Sequence, residues 1–135
     1  MSLIKFTKES IDVGMVIRDP EKSLAFYRDV LGFEVAGEMP MPGGGTMYRM
    51  RCGVALVKLI HTGQELPSPH KGGLMGALGY RYFTIHVENL EEITARCTAA
   101  GCVVPIANTK IREGVTISLV EDPDGNLVEF LNQVG

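Results

Sequence analysis

Few side chains in this sequence have the type and spacing to do chemistry. The histidines are His61, His70 and His86, the cysteines Cys52, Cys97 and Cys102. An odd number of thiols with no CxxC pair makes neither a disulfide framework nor a zinc site. They are expected to stay reduced, with Cys97 on an apolar helix face as a buried, inert thiol. Arg49 and Arg81 have two readings: guanidinium groups turned toward a ligand carboxylate or phosphate, or solvated strand ends. Met39, Met41, Met47, Met50 and Met75 gather around a glycine-rich segment and a later loop. Such a group forms an adaptable apolar rim for a flat ligand, ordinary packing, or a dimer surface. Tyr48, Phe83 and Phe130 read as core or cavity lining. Gly43-Gly44-Gly45 is not a phosphate loop, because no Gly-Lys-Ser/Thr follows and no helix begins there.

Two helices and several strands must position these groups. Asp19-Pro20-Glu21 opens the first helix, with Asp19 as N-cap and proline at the first helical position. Leu24, Tyr27 and Leu31 follow at helical spacing, and Gly32 closes it. The second opens at Asn89, with Glu92 three residues on in a capping-box arrangement. Leu90, Ile93, Cys97 and Ala100 share its apolar face, and Gly101 ends it. Strands are predicted over 11–17 and 82–87, each leading into a helix cap. Further strands are predicted over 33–36, 47–51 and 54–60 after the first helix, and over 102–105, 115–120 and 127–131 after the second. Asp122-Pro123-Asp124-Gly125 joins two apolar runs and reads as a hairpin turn.

The chain has 135 residues, 45% of them hydrophobic and 21% charged, a globular composition for a single domain. Thirteen basic against sixteen acidic residues give a net charge of −3 without a basic run, which argues against nucleic acid as partner. No apolar stretch approaches the ~20 residues that span a bilayer, and residues 1–8 lack the apolar centre of a secretory signal. A cytoplasmic location is expected, with no membrane partner.

The element order, strand–helix–three strands, occurs twice. Asp12 to Asp19 spans seven residues, as does Tyr82 to Asn89. Asp12 maps onto Tyr82 by adding 70, and Lys58 onto Glu129 by adding 71. The modules run over about 8–62 and 80–133, with a Pro- and Gly-containing linker over about 63–79. The opening Asp12-Val13-Gly14-Met15-Val16-Ile17-Arg18-Asp19-Pro20 through Val30-Leu31-Gly32-Phe33 resembles that of the vicinal oxygen chelate superfamily. So does the ending Glu121-Asp122-Pro123-Asp124-Gly125-Asn126-Leu127-Val128-Glu129-Phe130. That superfamily includes glyoxalase I, extradiol dioxygenases and bleomycin resistance proteins. The resemblance implies an α+β fold of two paired βαβββ modules whose curved sheets form a cavity, within residues 1–135. It also implies a homodimer, with the cavity either inside one chain or shared between subunits.

Metal-dependent members carry four ligands, on the first and last strand of each module. Carried over by the resemblance, these positions are Asp12, Lys58, Tyr82 and Glu129. Only Asp12 and Glu129 suit a hard divalent cation. An ammonium has no lone pair to give, and a neutral phenol is a poor ligand. His86 shares the strand parity of Tyr82 but lies about 13 Å further along. His61 is an odd number of residues from Lys58 and faces the other way. His70 lies in the linker.

The same four residues suggest an ammonium filling the charge role of a metal, with Asp12 and Glu129 balancing it. Lys58, Tyr82, Arg49 and His86 are then the ligand-binding candidates, and Glu129, Lys58, Tyr82 and Asp12 the catalytic ones. A salt-bridged plug in an inactive site is the competing reading. Three functions follow. The first is a metal-free protein that binds a small oxygenated or drug-like ligand. The second is a glyoxalase-like lyase or isomerase using acid–base chemistry. The third is an enzyme of lyase, isomerase or dioxygenase type with a divalent metal on Asp12 and Glu129.

Overall fold

The computed structural model describes residues 3–68 and 72–135; His70 lies outside the described residues. Among the described residues, eight strands form two four-stranded sheets with the same internal order. The first holds β1 (Asp12–Val16), β2 (Glu34–Pro40), β3 (Thr46–Cys52) and β4 (Ala55–His61), in the order β1-β4-β3-β2. The second holds β5 (Tyr82–His86), β6 (Ile106–Arg112), β7 (Val115–Glu121) and β8 (Leu127–Gln133), in the order β5-β8-β7-β6. The opening strand of each sheet pairs in parallel with its closing strand, β1 with β4 and β5 with β8, and the other pairings are antiparallel. This is the two-module α+β fold expected from the sequence.

Helix α1 (Pro20–Leu24) starts as predicted, with Asp19 accepting from the backbone N–H groups of Glu21 and Lys22. The rest of the predicted helix differs: Ala25–Val30 is a π-helical turn. Its wider winding is closed by Leu31 N–H donating to the Phe26 carbonyl at 3.0 Å. Phe26 and Tyr27, adjacent in sequence, are both buried in this turn. Gly32, at φ +81°, then reverses the chain. Helix α2 (Leu90–Ala99) also starts where predicted, but the capping box does not form. Asn89 sits at φ −105°, ψ 53° and its side chain makes no cap bond. Glu91 and Glu92 in the first turn still favour the positive end of the helix dipole.

The predicted strand over 102–105 lies instead at Ile106–Arg112. Cys102 N–H is committed to the Cys97 carbonyl at 3.0 Å, ending α2, and Pro105 has no N–H to give a ladder. The real strand is polar and interrupted by register shifts near Asn108, whose φ is +44°. That irregularity hides its alternation in the sequence.

One core joins the two modules. Ile17, Phe26, Tyr27, Met50, Val57 and Leu59 of the first pack in one cluster with Leu90, Cys97, Val120, Val128 and Phe130 of the second. Arg96 of α2 donates to the Val30 and Asp29 carbonyls at 3.0 and 3.1 Å, tying the helical segments together. The helix-facing side of each sheet is therefore used for packing. The opposite side carries Lys58 in one sheet and Glu129 in the other, since strand side chains alternate. Among the described residues no helix is long and apolar enough to cross a membrane.

Candidate functional site

Register decides which side chains share the outward face of the first sheet. Directly paired residues point the same way. Asp12 pairs with Leu56, Gly14 with Lys58 and Val16 with Ile60. Leu56, Lys58 and Ile60 pair in turn with Arg51, Arg49 and Met47. Asp12, Lys58 and Arg49 therefore stand on one face.

Lys58 Nζ lies 3.1 Å from Asp12 Oδ2, with each side chain one-third exposed. Lys8 reaches the other oxygen of the same carboxylate at 2.6 Å. These two ammonium groups, Lys8 first and Lys58 second, hold the Asp12 carboxyl below its ordinary pKa. Lys8 was not anticipated as a partner, although its i, i+4 spacing to Asp12 was the available signal.

In the second sheet Glu129 stands opposite Thr84 and Tyr82 opposite Leu127. The Thr84 hydroxyl donates to Glu129 Oε1 at 2.7 Å. Thr84 was missed in the sequence, although it is Gly14 plus 70. Tyr82 is half-exposed at the start of β5, and His86 is exposed at its other end on the same face. Of the four candidate positions, Asp12 and Lys58 pair with each other, Glu129 pairs instead with Thr84, and Tyr82 stands in neither pair. Among the described residues no hydrogen bond or ion pair joins one pair to the other.

A cleft of about 1110 Å³ opens between the unpaired edges of β1 and β5. Asp12 and Tyr82 stand on its rim, Val13, Met15, Phe83 and Leu127 supply apolar wall, and His61 lines it from the end of β4. Lys58 and Glu129 do not line it. Arg18 closes one end through Asp124 at 3.7 Å and the Ser68 hydroxyl at 3.2 Å. Arg81, also in the lining, donates to the Gly73 carbonyl.

The sulfur-bearing residues separate by environment. Met50 is fully buried in the core rather than on a rim, whereas Met39 and Met47 lie on the Lys58 face. The cysteines are unpaired, and Cys97 is fully buried. Burial, with a smaller contribution from neighbouring Cys102, pushes the Cys97 thiol up to about 11. It has little thiolate at neutral pH.

These residues do not make a donor set for a divalent cation within one chain. Among those described, no three of His, Cys, Asp and Glu come together. At the position of one expected ligand stands an ammonium that occupies the nearest carboxylate and has no lone pair of its own.

The family model described as the Glyoxalase/Bleomycin resistance protein/Dioxygenase superfamily matches residues 11–130. The chain belongs to that superfamily. Among solved structures it is similar to a glyoxalase family protein from Bacillus cereus, with a TM-score of 0.78 and 17% identity over 100% of this chain and 99% of that one. A glyoxalase family protein from Enterococcus faecalis aligns with a TM-score of 0.70 and 23% identity over 97% and 99% of the two chains. The trypanothione-dependent glyoxalase I of Leishmania major aligns with a TM-score of 0.70 and 21% identity over 90% and 84%. At these identities the likenesses show the fold. No curated protein matches the sequence significantly.

Proposed function

We propose that this chain binds a small oxygenated or drug-like molecule without the divalent metal used by many members of its superfamily. The single observation carrying this reading is the 3.1 Å pair between Lys58 and Asp12 on the outward sheet face. The pair puts a fixed positive charge where a ligand oxygen would otherwise meet a cation. Two things support a homodimer: the free edges of β1 and β5, and the exposed apolar side chains Ile11, Val16 and Tyr82 beside them. In that dimer the Lys58 face of one copy meets the Glu129 face of the other. The three unpaired thiols agree with a reducing, cytoplasmic setting.

The test is a ligand screen by thermal shift on protein dialysed against a chelator. Hits are expected to survive the chelator and to be lost in Lys58→Ala. A hit that needs an added divalent ion, or full affinity in Lys58→Ala, overturns the reading.

One observation favours a second reading, a lyase- or isomerase-type enzyme working by acid–base chemistry. Thr84 fixes one oxygen of Glu129 at 2.7 Å and orients the other as a proton acceptor. Lys58 would then hold the developing oxyanion. Turnover of an enolisable substrate that is abolished in Glu129→Gln distinguishes this from binding alone.

A further inference from the structure

The outward face of the first sheet is ordered in rows. The pairings β2–β3, β3–β4 and β1–β4 place Gly37, Arg49, Lys58 and Gly14 side by side across all four strands. Two cations stand next to each other with a glycine at each end of the row. A Cβ built on Gly14 or on Gly37 meets nothing within 4 Å, so the space above both glycines is open. The next row is Met39, Met47, Ile60 and Val16, apolar from edge to edge. The row on the other side is Glu34, Arg51, Leu56 and Asp12, where Arg51 and Glu34 neutralise each other at 2.6 Å.

The charges on this face do not balance. Asp12 is the shared partner of Lys8 and Lys58, and Arg49 has no acidic partner among the described residues. Within one chain, three cations against one carboxylate leave a surplus of two positive charges on this face, and the Glu129 face of a second copy, docked as proposed above, lowers it to one. Like charges directly opposite on paired strands oppose folding, so the Arg49–Lys58 juxtaposition is a cost that the empty protein carries. An anion between the two side chains removes it, and a guanidinium fork beside an ammonium suits an oxyanion with several acceptor oxygens.

We infer that this face binds an organic anion with an apolar body. Its carboxylate, sulfonate or phosphate head is held by Arg49 and Lys58 between Gly14 and Gly37. Its body lies along Met39, Met47, Ile60 and Val16. The inference rests on the small-molecule reading above and adds the chemical class of the ligand.

The test uses two fluorescent probes of the same shape on the full chain, 8-anilinonaphthalene-1-sulfonate and its neutral counterpart N-phenyl-1-naphthylamine. The sulfonate is expected to bind more tightly than the neutral probe. Arg49→Gln is expected to weaken the sulfonate about tenfold, the scale of one charge-assisted hydrogen bond, and to leave the neutral probe unchanged. Arg49→Lys restores part of the loss. Gly37→Val fills the space beside the cations and weakens the sulfonate, with circular dichroism confirming the fold. Without a ligand, Arg49→Gln melts at a higher temperature than the parent, because the repulsion from Lys58 is gone. If both probes bind equally, or if Arg49→Gln binds the sulfonate as well as the parent does, the anion inference is overturned and the small-molecule reading stands. If neither probe binds, both fall.

Discussion

The Tyr27 hydroxyl donates to Asp122 Oδ2 at 2.7 Å across a sequence separation of 95 residues, pinning the π-helical turn of one module to the hairpin of the other. Asp122 is 4% exposed and Tyr27 fully buried. The carboxylate also accepts the backbone N–H groups of Asp124 and Asn126 at 2.9 and 2.8 Å and the Asn126 amide at 3.0 Å. It thus organises the turn while anchoring the module interface. Tyr27→Phe keeps the ring but leaves one lone pair of a buried carboxylate without its donor. The expected cost at pH 7 is about 1.5–3 kcal/mol in urea unfolding.

That cost depends on pH. Burial, and then the Asp122 charge, raise the Tyr27 pKa well above the ordinary 10.0. The folded state therefore keeps the phenol proton after the unfolded chain has begun to lose it. The contribution is full below the unfolded value of 10.0 and falls away as pH rises toward the folded one. The stability gap between parent and Tyr27→Phe should be flat from pH 6 to about 9.5 and narrow above about 10. A gap that stays constant into strong alkali would count against the assignment.

Arg96 joins the modules a second time, at the surface. Its Nε and Nη2 donate to the Val30 and Asp29 carbonyls at the end of the π-helical turn. Those carbonyls have no further turn to accept from, so the guanidinium acts as a cap supplied from α2. Water replaces it in Arg96→Ala, which limits the loss to about 1 kcal/mol. Arg96→Lys, with a single ammonium, is expected to recover part of this. An Arg96→Ala variant as stable as the parent would show that water satisfies both carbonyls equally well.

Much of this architecture could be read from spacing. The offset of 70 between modules predicts that Gly14 and Thr84 occupy matching places, and each stands opposite the residue at the matching place on its closing strand, Lys58 or Glu129. Asp19 announces α1 because a carboxylate before proline has one good local use. Local rules failed where the tertiary environment decided. Nothing in Ala25–Val30 signals a π-helical turn, and the polar β6 is specified by its partner β7 rather than by its own alternation. For the site, the Asp12–Lys58 pair was accessible from the family resemblance, which put both residues at ligand positions, together with their opposite charges. The row of Gly37, Arg49, Lys58 and Gly14 was not, because it requires the register of three separate pairings, one of them shifted between Val35 and Gly37.

The shared carboxylate at Asp12 gives a direct solution test of the cation-rich face. Lys8 contributes most to lowering its pKa and Lys58 contributes next, both through hydrogen bonds to the exposed carboxylate. In an NMR titration Asp12 should therefore titrate below the ordinary 3.8. Lys8→Ala should move it up further than Lys58→Ala does. Because the lowered group is charged in the fold, the linked stability is complete above the unfolded pKa and fades as pH falls through the folded one. Exposure makes the effect sensitive to salt, but both contacts, at 2.6 and 3.1 Å, are shorter than the screening length of about 4 Å in 0.5 M sodium chloride, which should therefore move the value only part of the way toward 3.8. If Lys58→Ala leaves the Asp12 titration unmoved, the ammonium at position 58 does not rest on this carboxylate in solution. The face would then lose the fixed charge on which the proposed ligand chemistry depends.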